Sequence, residues 1–393
     1  LKEVRLLAPS GNRITVVGFN LHNWTTPKEA LLNQELGEVR FHYLEAGRQP
    51  FMPWLYASLV EKASRLIQPM LPSNTRIAAF ALSKRSWSLL QWVKKNRKRY
   101  DLIIAHNPPA FYSAVWLAAK TSSPYALDVE DYHPGEGSNG AEQRSAALLM
   151  RRFLEKASYV SFASPLIKTY SQRLLGLEDK ESFLVVNNTF PHAGFRQPAV
   201  IDPTDKLRIV WFSQFVDYGR GLEKILPVLD KFRNEIELTL IGSTRQAFLD
   251  KEVKGRDYIR SFDSLPQTAL HRELSNYDIG LALEDGSIDL NRNICLTNKI
   301  WSYLLAGLYI VATDTEAQCH FLEEYTGHGV NTSLSEDIFT AAIARLIKDR
   351  ETIRASGISR FEKAAAAGWE KESVILLRQW QKILKSPFTI PLS

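Results

Sequence analysis

The chain has 393 residues, 45% of them hydrophobic and 23% charged, with a formal net charge of +6. That length exceeds what one hydrophobic core ordinarily supports and predicts two domains, and the composition is globular rather than disordered or fibrous. No run reaches the roughly 18 to 20 apolar residues of a membrane span. Cys295 and Cys319 offer neither a disulfide framework nor a metal spacing, so a reducing cytosol is expected and a zinc site is not.

The charge is unevenly placed. Residues 1–195 hold 24 basic against 16 acidic residues, a balance of +8, and the remainder holds 25 against 27, a balance of −2. Between Lys62 and Tyr100 there are ten Lys/Arg and no acid, interleaved with Trp87 and Trp92. A solvated helix face is the plain explanation. The alternative is a surface for anionic lipid, with Trp87, Leu90 and Val93 or Leu89 toward one side. Nucleic acid is not expected as a partner, because no recognition module accompanies the charge.

Taken in chain order, short β-branched runs alternate with helical patterns, the signature of parallel sheets with crossover helices. Strands are predicted at "RITVVGF", "VRFHYLE", "DLIIAHN", "YALDVED", "YVSFASP" and "FLVVNNT". Prolines and polar residues cluster without periodicity near 190–206, which marks a linker. The pattern then restarts with "LRIVWFSQ", "IELTLIGS", "YIRSFDS", "DIGLALE", "LYIVATD" and a weaker strand near Gly329, followed by helix to about Leu384. The predicted domains are 1–195 and 205–368, with a terminal helix over 369–386 packing back toward the first. Two doubly wound sheets facing a cleft would suit a two-substrate enzyme. The chain lacks both a GxGxxG after a strand and a P-loop, which argues against a nicotinamide enzyme or a Walker ATPase.

Three strand ends carry polar residues. In "WFSQFVDYGRGLEKIL" Arg220 sits between glycines at a helix start, where a guanidinium, backbone amides and the helix dipole can converge on an anion. In "NRNICLTNKIWSYLL" Lys299 opens a helix with Thr297 and Asn298 as hydroxyl and amide neighbours. Together these make a pyrophosphate cradle. In "ALDVEDYHPGEGSN" five ionisable residues crowd one strand end, with Asp128 and Glu130 on one face of the strand and Asp131 and His133 on the other. A carboxylate or imidazole there could meet an incoming hydroxyl. His22 and His106 also follow strands. Thr26 and Pro27 read as an N-cap and first helical residue, and neither histidine is assigned to catalysis.

"IWSYLLAGLYIVATDT" resembles the "EYMAAGLPVVAT" segment of glycosyltransferases with the GT-B fold, particularly the group 4 family, and "WFSQ…GRGLEKIL" resembles the opening of their donor domain. "DIGLALEDGS" continues the pattern. The resemblance covers roughly 205–325 well and the first domain only by architecture and "LDVEDYHPGE". It implies an α/β protein of GT-B architecture: two Rossmann-like domains, an acceptor side first and a nucleotide-sugar donor side second, with C-terminal helices.

The implied donor site is Arg220 and Lys299 on the diphosphate and Glu284 near sugar or ribose hydroxyls, with Thr297, Asn298 and Ser302 beside them. Ser302 stands where the family commonly has a second glutamate. His133, Asp131 and Glu130 are the candidates for the reacting sugar and acceptor hydroxyl. The implied activity is transfer of a hexose-like sugar from a nucleotide diphosphate sugar to a glycan or lipid-linked glycan in cell-surface polysaccharide synthesis; the resemblance suggests retention, in which no protein base is obligatory, whereas inversion would need Asp131 or Glu130 as base. No metal or other cofactor is expected, and the expected location is cytoplasmic, peripheral on the inner face of the membrane. A sugar-nucleotide epimerase of the same fold and a noncatalytic nucleotide-sugar-binding protein are the alternatives.

Overall fold

A computed structural model describes residues 2–20, 36, 39–199 and 205–384. The segment holding His22, Thr26 and Pro27 lies outside the described residues. The chain divides into two compact units, one of residues 1–186 with 373–393 and the other of residues 187–372.

In the first unit, β1 (Thr15–Asn20) and β2 (Arg40–Glu45) pair in parallel. A separate four-stranded parallel sheet runs in the order β3 (Ile103–His106), β4 (Tyr125–Val129), β5 (Val160–Phe162) and β6 (Phe183–Val185). Helices 108–121, 140–153 and 165–175 provide the crossovers. Asn139 starts the second of these by accepting the Ala141 amide at 3.1 Å, and Pro165 opens the third behind its N-cap Ser164. The basic helix 84–95 buries Ser86, Leu90 and Val93, while Trp87 lies 4.9 Å from the Tyr56 ring and Trp92 lies 5.2 Å from His42. Leu90 and Val93 are therefore core residues, which removes half of the outward apolar face expected for this helix. From Ser373 onward helix 369–384 belongs to this unit, and there the Trp380 indole donates to the Tyr159 hydroxyl at 2.9 Å with both side chains fully buried.

The second unit is built on one six-stranded parallel sheet in the order β12 (Gly329–Thr332), β11 (Tyr309–Thr313), β10 (Ile279–Ala282), β7 (Leu207–Val216), β8 (Ile236–Thr244) and β9 (Ile259–Phe262). Both faces are covered, so the strands read as near-continuous apolar runs. Alternation sends Ile209, Trp211, Ile279, Leu281 and Val311 to one core and Val210, Ala282, Ile310 and Ala312 to the other. Strand order reverses between β7 and β10, which opens a crevice at their carboxyl ends. At Gly280 on β10, a Cβ would stand 2.3 Å from the Tyr303 ring, so only glycine lets helix 298–305 lie this close to the sheet.

Candidate functional site

The residues that follow β7 and β10 meet at that reversal point. After β7 the chain turns through Gly219 and Gly221, at φ 87° and 83°, so that Arg220 is presented at the start of helix 222–229. Gly221 is also tightly placed, since a Cβ there would come within 3.0 Å of Leu334. After β10 comes Glu284, buried, its amide donating to Thr313 Oγ1 at 3.0 Å while that hydroxyl donates to Gln318 Oε1 at 3.0 Å. Lys299 lies in the first turn of helix 298–305, buried, with its ammonium 5.3 Å from the centre of the Trp211 ring.

Lys299 Nζ and Arg220 Nη1 each stand 3.6 Å from the same oxygen, Glu284 Oε1. That oxygen is buried without a hydrogen-bond partner, as is Thr297 Oγ1 at the N-cap of the lysine's helix. Burial pushes the lysine down to about 8, Glu284 pulls the other way, and Arg220 adds to the lowering. Two cations thus share one carboxylate beside a helix N-terminus, leaving an excess positive charge and unfilled polar positions. Such a site favours an anion.

The sequence candidates divide here. Arg220, Glu284 and Lys299 are brought together, and Thr297 stands at the N-cap position of the lysine's helix without a side-chain capping hydrogen bond. Asn298 is exposed. Ser302 is buried and donates to the Asn298 carbonyl at 3.0 Å, so its hydroxyl is turned into its own helix rather than toward Glu284. Next to Glu284 an open concavity of ≈ 310 Å³ is lined by Lys224, Asp285, Asn293, Thr315 and Ser333, with neither Arg220 nor Lys299 in its wall. Lys224 donates to Asp285 at 2.7 Å and, with Ser287, holds that carboxyl at about 2. Asn293 accepts the Glu316 amide at 3.0 Å. Sequence reading passed over Asp285, Asn293 and Thr313, although the first adjoins Glu284 directly.

The first unit gathers a second set at the ends of β3 and β4, where His106 pairs in register with Asp128. His106 Nδ1 lies 2.9 Å from Asp128 Oδ2 and 3.4 Å from Glu130 Oε1, and its Nε2 lies 3.6 Å from Glu3 on helix 2–7. Crowding by protein opposes a charged ring, but the hydrogen bonds to Asp128 and Glu130 outweigh it and hold His106 well above its ordinary value. The hydrogen bond from His106 holds Glu130 at about 2. Burial, with the neighbouring carboxylates, raises Glu3 to about 6.

Asn107, at a φ of 66°, donates to Glu130 at 3.0 Å and offers its Oδ1 to His133 Nε2 at 3.2 Å, while His133 Nδ1 lies 2.5 Å from Glu136. Two of the three predicted catalytic residues, Glu130 and His133, are thus joined through an asparagine that sequence reasoning did not select. The third, Asp131, gives its carbonyl to the His133 amide at 3.0 Å. Ligand atoms of His106, Asp128 and Glu130 lie within 4.8 Å of one another, which makes these three the described residues that could hold a metal ion. A protonated His106 answers the same carboxylates without one.

Residues 3–189 match the model of the glycosyl transferase 4-like domain family. The match falls on the half of the chain where the sequence resemblance was confined to architecture and one motif. No curated protein matches the sequence. Among solved structures, the chain is similar to Anabaena HepE in complex with UDP, with a TM-score of 0.66 at 14% identity over 97% of this chain and 95% of that one. It is similar to sucrose-phosphate synthase from Thermosynechococcus elongatus, with a TM-score of 0.61 at 12% identity over 95% and 100%. A Listeria monocytogenes protein assigned as a UDP-N-acetylglucosamine 2-epimerase gives 0.55 at 12% identity over 96% and 98%. The fold is that of the GT-B glycosyltransferases, as the strand-end motifs implied.

Proposed function

We propose that this chain is a glycosyltransferase that moves a sugar from a nucleoside diphosphate sugar to a hydroxyl of a glycan or lipid-linked glycan, in the assembly of a cell-surface polysaccharide. The observation that carries the reading is the convergence of Arg220 and Lys299 on one buried, hydrogen-bond-free oxygen of Glu284 at the reversal point of the second unit's sheet. Support comes from HepE, a protein of similar fold solved with UDP and with UDP-glucose. As the glycosidic bond breaks, charge grows on the departing diphosphate. Preorganised cations at a helix N-terminus stabilise that charge in place, with no divalent ion required. Glu284, held through its amide by Thr313, faces the sugar or ribose hydroxyls as an acceptor.

The acceptor hydroxyl is assigned to Glu130, Asp131 and His133 of the first unit. The resemblance to group 4 enzymes favours retention of anomeric configuration, in which the departing phosphate oxygen can take the acceptor's proton and no protein base is obligatory. Glu130 at about 2 is a weak base, in keeping with that route.

A thermal-shift series tests the donor site. Nucleoside diphosphates should raise the unfolding temperature more than the matching monophosphates, and chelator should leave the difference intact, because a ligand bound only by the folded state stabilises it. Equal shifts would remove the diphosphate assignment. The Listeria neighbour supports a second reading, an epimerase of the same fold. Release of an altered free sugar or sugar nucleotide in the absence of acceptor would favour it.

A further inference from the structure

Glu284 belongs to two surroundings at once. One of its oxygens stands 3.6 Å from both Lys299 and Arg220 and has no hydrogen-bond partner. The same residue, itself buried, lines the open concavity of ≈ 310 Å³ whose wall holds neither cation. That volume lies at the lower end of those that hold small ligands, and suits one sugar ring better than a whole nucleotide. In a nucleoside diphosphate sugar the ring is joined to the diphosphate through a single oxygen. With the diphosphate on Arg220 and Lys299, the ring therefore lies next to Glu284, where the concavity opens.

The charge of this wall decides which sugar it can take. It carries three carboxylates, Glu284, Asp285 and Asp314, and one ammonium, that of Lys224. The ammonium is already engaged, donating to Asp285 Oδ2 at 2.7 Å, while Ser287 donates to Asp285 Oδ1 from its amide at 3.1 Å and its hydroxyl at 2.5 Å. These bonds hold Asp285 at about 2, so it stays ionised through the neutral range. Once phosphates answer Arg220 and Lys299, nothing but Lys224 offsets the three carboxylates. An ionised carboxylate accepts hydrogen bonds and donates none. Sugar hydroxyls can donate to such a wall. A carboxylate on the sugar cannot, and would give up its water to stand among like charges.

We propose that the concavity walled by Glu284, Asp285 and Asp314 holds the sugar of the donor and selects a neutral hexose against a hexuronic acid. The selection rests on the reading of Arg220 and Lys299 as the diphosphate cradle, and adds to it the chemical class of the sugar.

Calorimetric titration of the full chain near neutral pH compares UDP, UDP-glucose and UDP-glucuronate, and in parallel GDP, GDP-mannose and GDP-mannuronate. Within each series the two sugars differ only by a hydroxymethyl group against a carboxylate. For the base that binds, the uronate conjugate should be weaker than the neutral one by about tenfold or more, and the gap should narrow at high salt. Asp314 is exposed, so Asp314→Lys is compatible with an unchanged circular dichroism spectrum. That variant should tighten the uronate conjugate about fivefold and leave the free nucleoside diphosphate unchanged. Equal affinity for the neutral and uronate conjugates, in protein that binds the diphosphate, would overturn the selection and leave the cradle standing. A shift of equal size for the diphosphate and both conjugates in Asp314→Lys would give the concavity to the nucleoside and overturn it as well. Failure of both UDP and GDP to bind would remove the cradle, and the sugar subsite with it.

Discussion

The two units end their parallel strands in polar clusters of opposite sign. In the second unit, two cations converge on Glu284, whose oxygen has no hydrogen-bond partner, and burial has already pushed Lys299 down to about 8. In the first, carboxylates outnumber the ring they surround, and the partners are closely matched: His106 with Asp128 and Glu130, Asn107 with Glu130 and His133. The first arrangement holds one more cation than anion and keeps a carboxylate oxygen open to a hydrogen-bond donor. The second is closed on itself and suited to holding side chains in fixed positions. One kind of scaffold, β-strands with crossover helices, can therefore bind charge or orient groups according to what stands in the few residues past each strand.

The contrast can be broken most sharply at Lys299. Lys299→Ala should lower turnover by about 2 to 4 kcal/mol of lost transition-state stabilisation, with the fold retained by circular dichroism. Arg220→Ala should follow in the same direction with a smaller loss, because its guanidinium is 46% exposed and water can replace part of what it supplies. Wild-type turnover in the Lys299 variant would leave the cluster a structural ion pair and no more.

The first unit's set is tested by His133→Ala and Asp131→Asn. Each should reduce kcat about tenfold while the dissociation constant of the nucleotide donor stays near the wild-type value. Lost donor binding with an unchanged rate at saturation would place both clusters on the same ligand and remove the division of labour.

A smaller effect is expected with pH. Lys299 is charged below about 8 and neutral above it, and only the charged form attracts the diphosphate. Affinity for a nucleoside diphosphate, followed by calorimetry above about pH 7 where its phosphates are ionised, should hold steady and then fall as pH passes 8. Constant affinity through pH 9 would show that the lysine's charge is not what the ligand senses.

What could be read from sequence follows from the range of the forces involved. Each described strand matches a predicted run, because period-2 and continuous apolar patterns are local. Arg220, Glu284 and Lys299 were also accessible, since each lies just past a recognisable strand or opens a recognisable helix. His106 was not, because its role depends on β3 lying beside β4 with His106 opposite Asp128, and on Glu3 arriving from a helix about a hundred residues earlier. Pairing order and register are long-range properties that a linear pattern does not contain. The basic helix misled for a related reason. Leu90 and Val93 fit an outward apolar face as well as an inward one, and only the packing of neighbouring helices decides between them. The orientation of Ser302 was illegible for a more local reason: its hydroxyl donates back to the Asn298 carbonyl, an alternative open to any helical serine.

Gly280 has no side chain to offer a ligand and is buried in the second unit. Yet the ring of Tyr303 occupies the space a Cβ would need, and Tyr303 belongs to the helix that begins one residue before Lys299. Any side chain at that glycine would press on the helix and shift the ammonium from its place by a fraction of an ångström or more. In a survey of variants scored by activity, position 280 would rank with the charged residues. In a survey scored by solubility it would resemble an ordinary packing defect. The missing side chain at Gly280 thus sets how closely Tyr303, and with it the helix of Lys299, approaches the sheet.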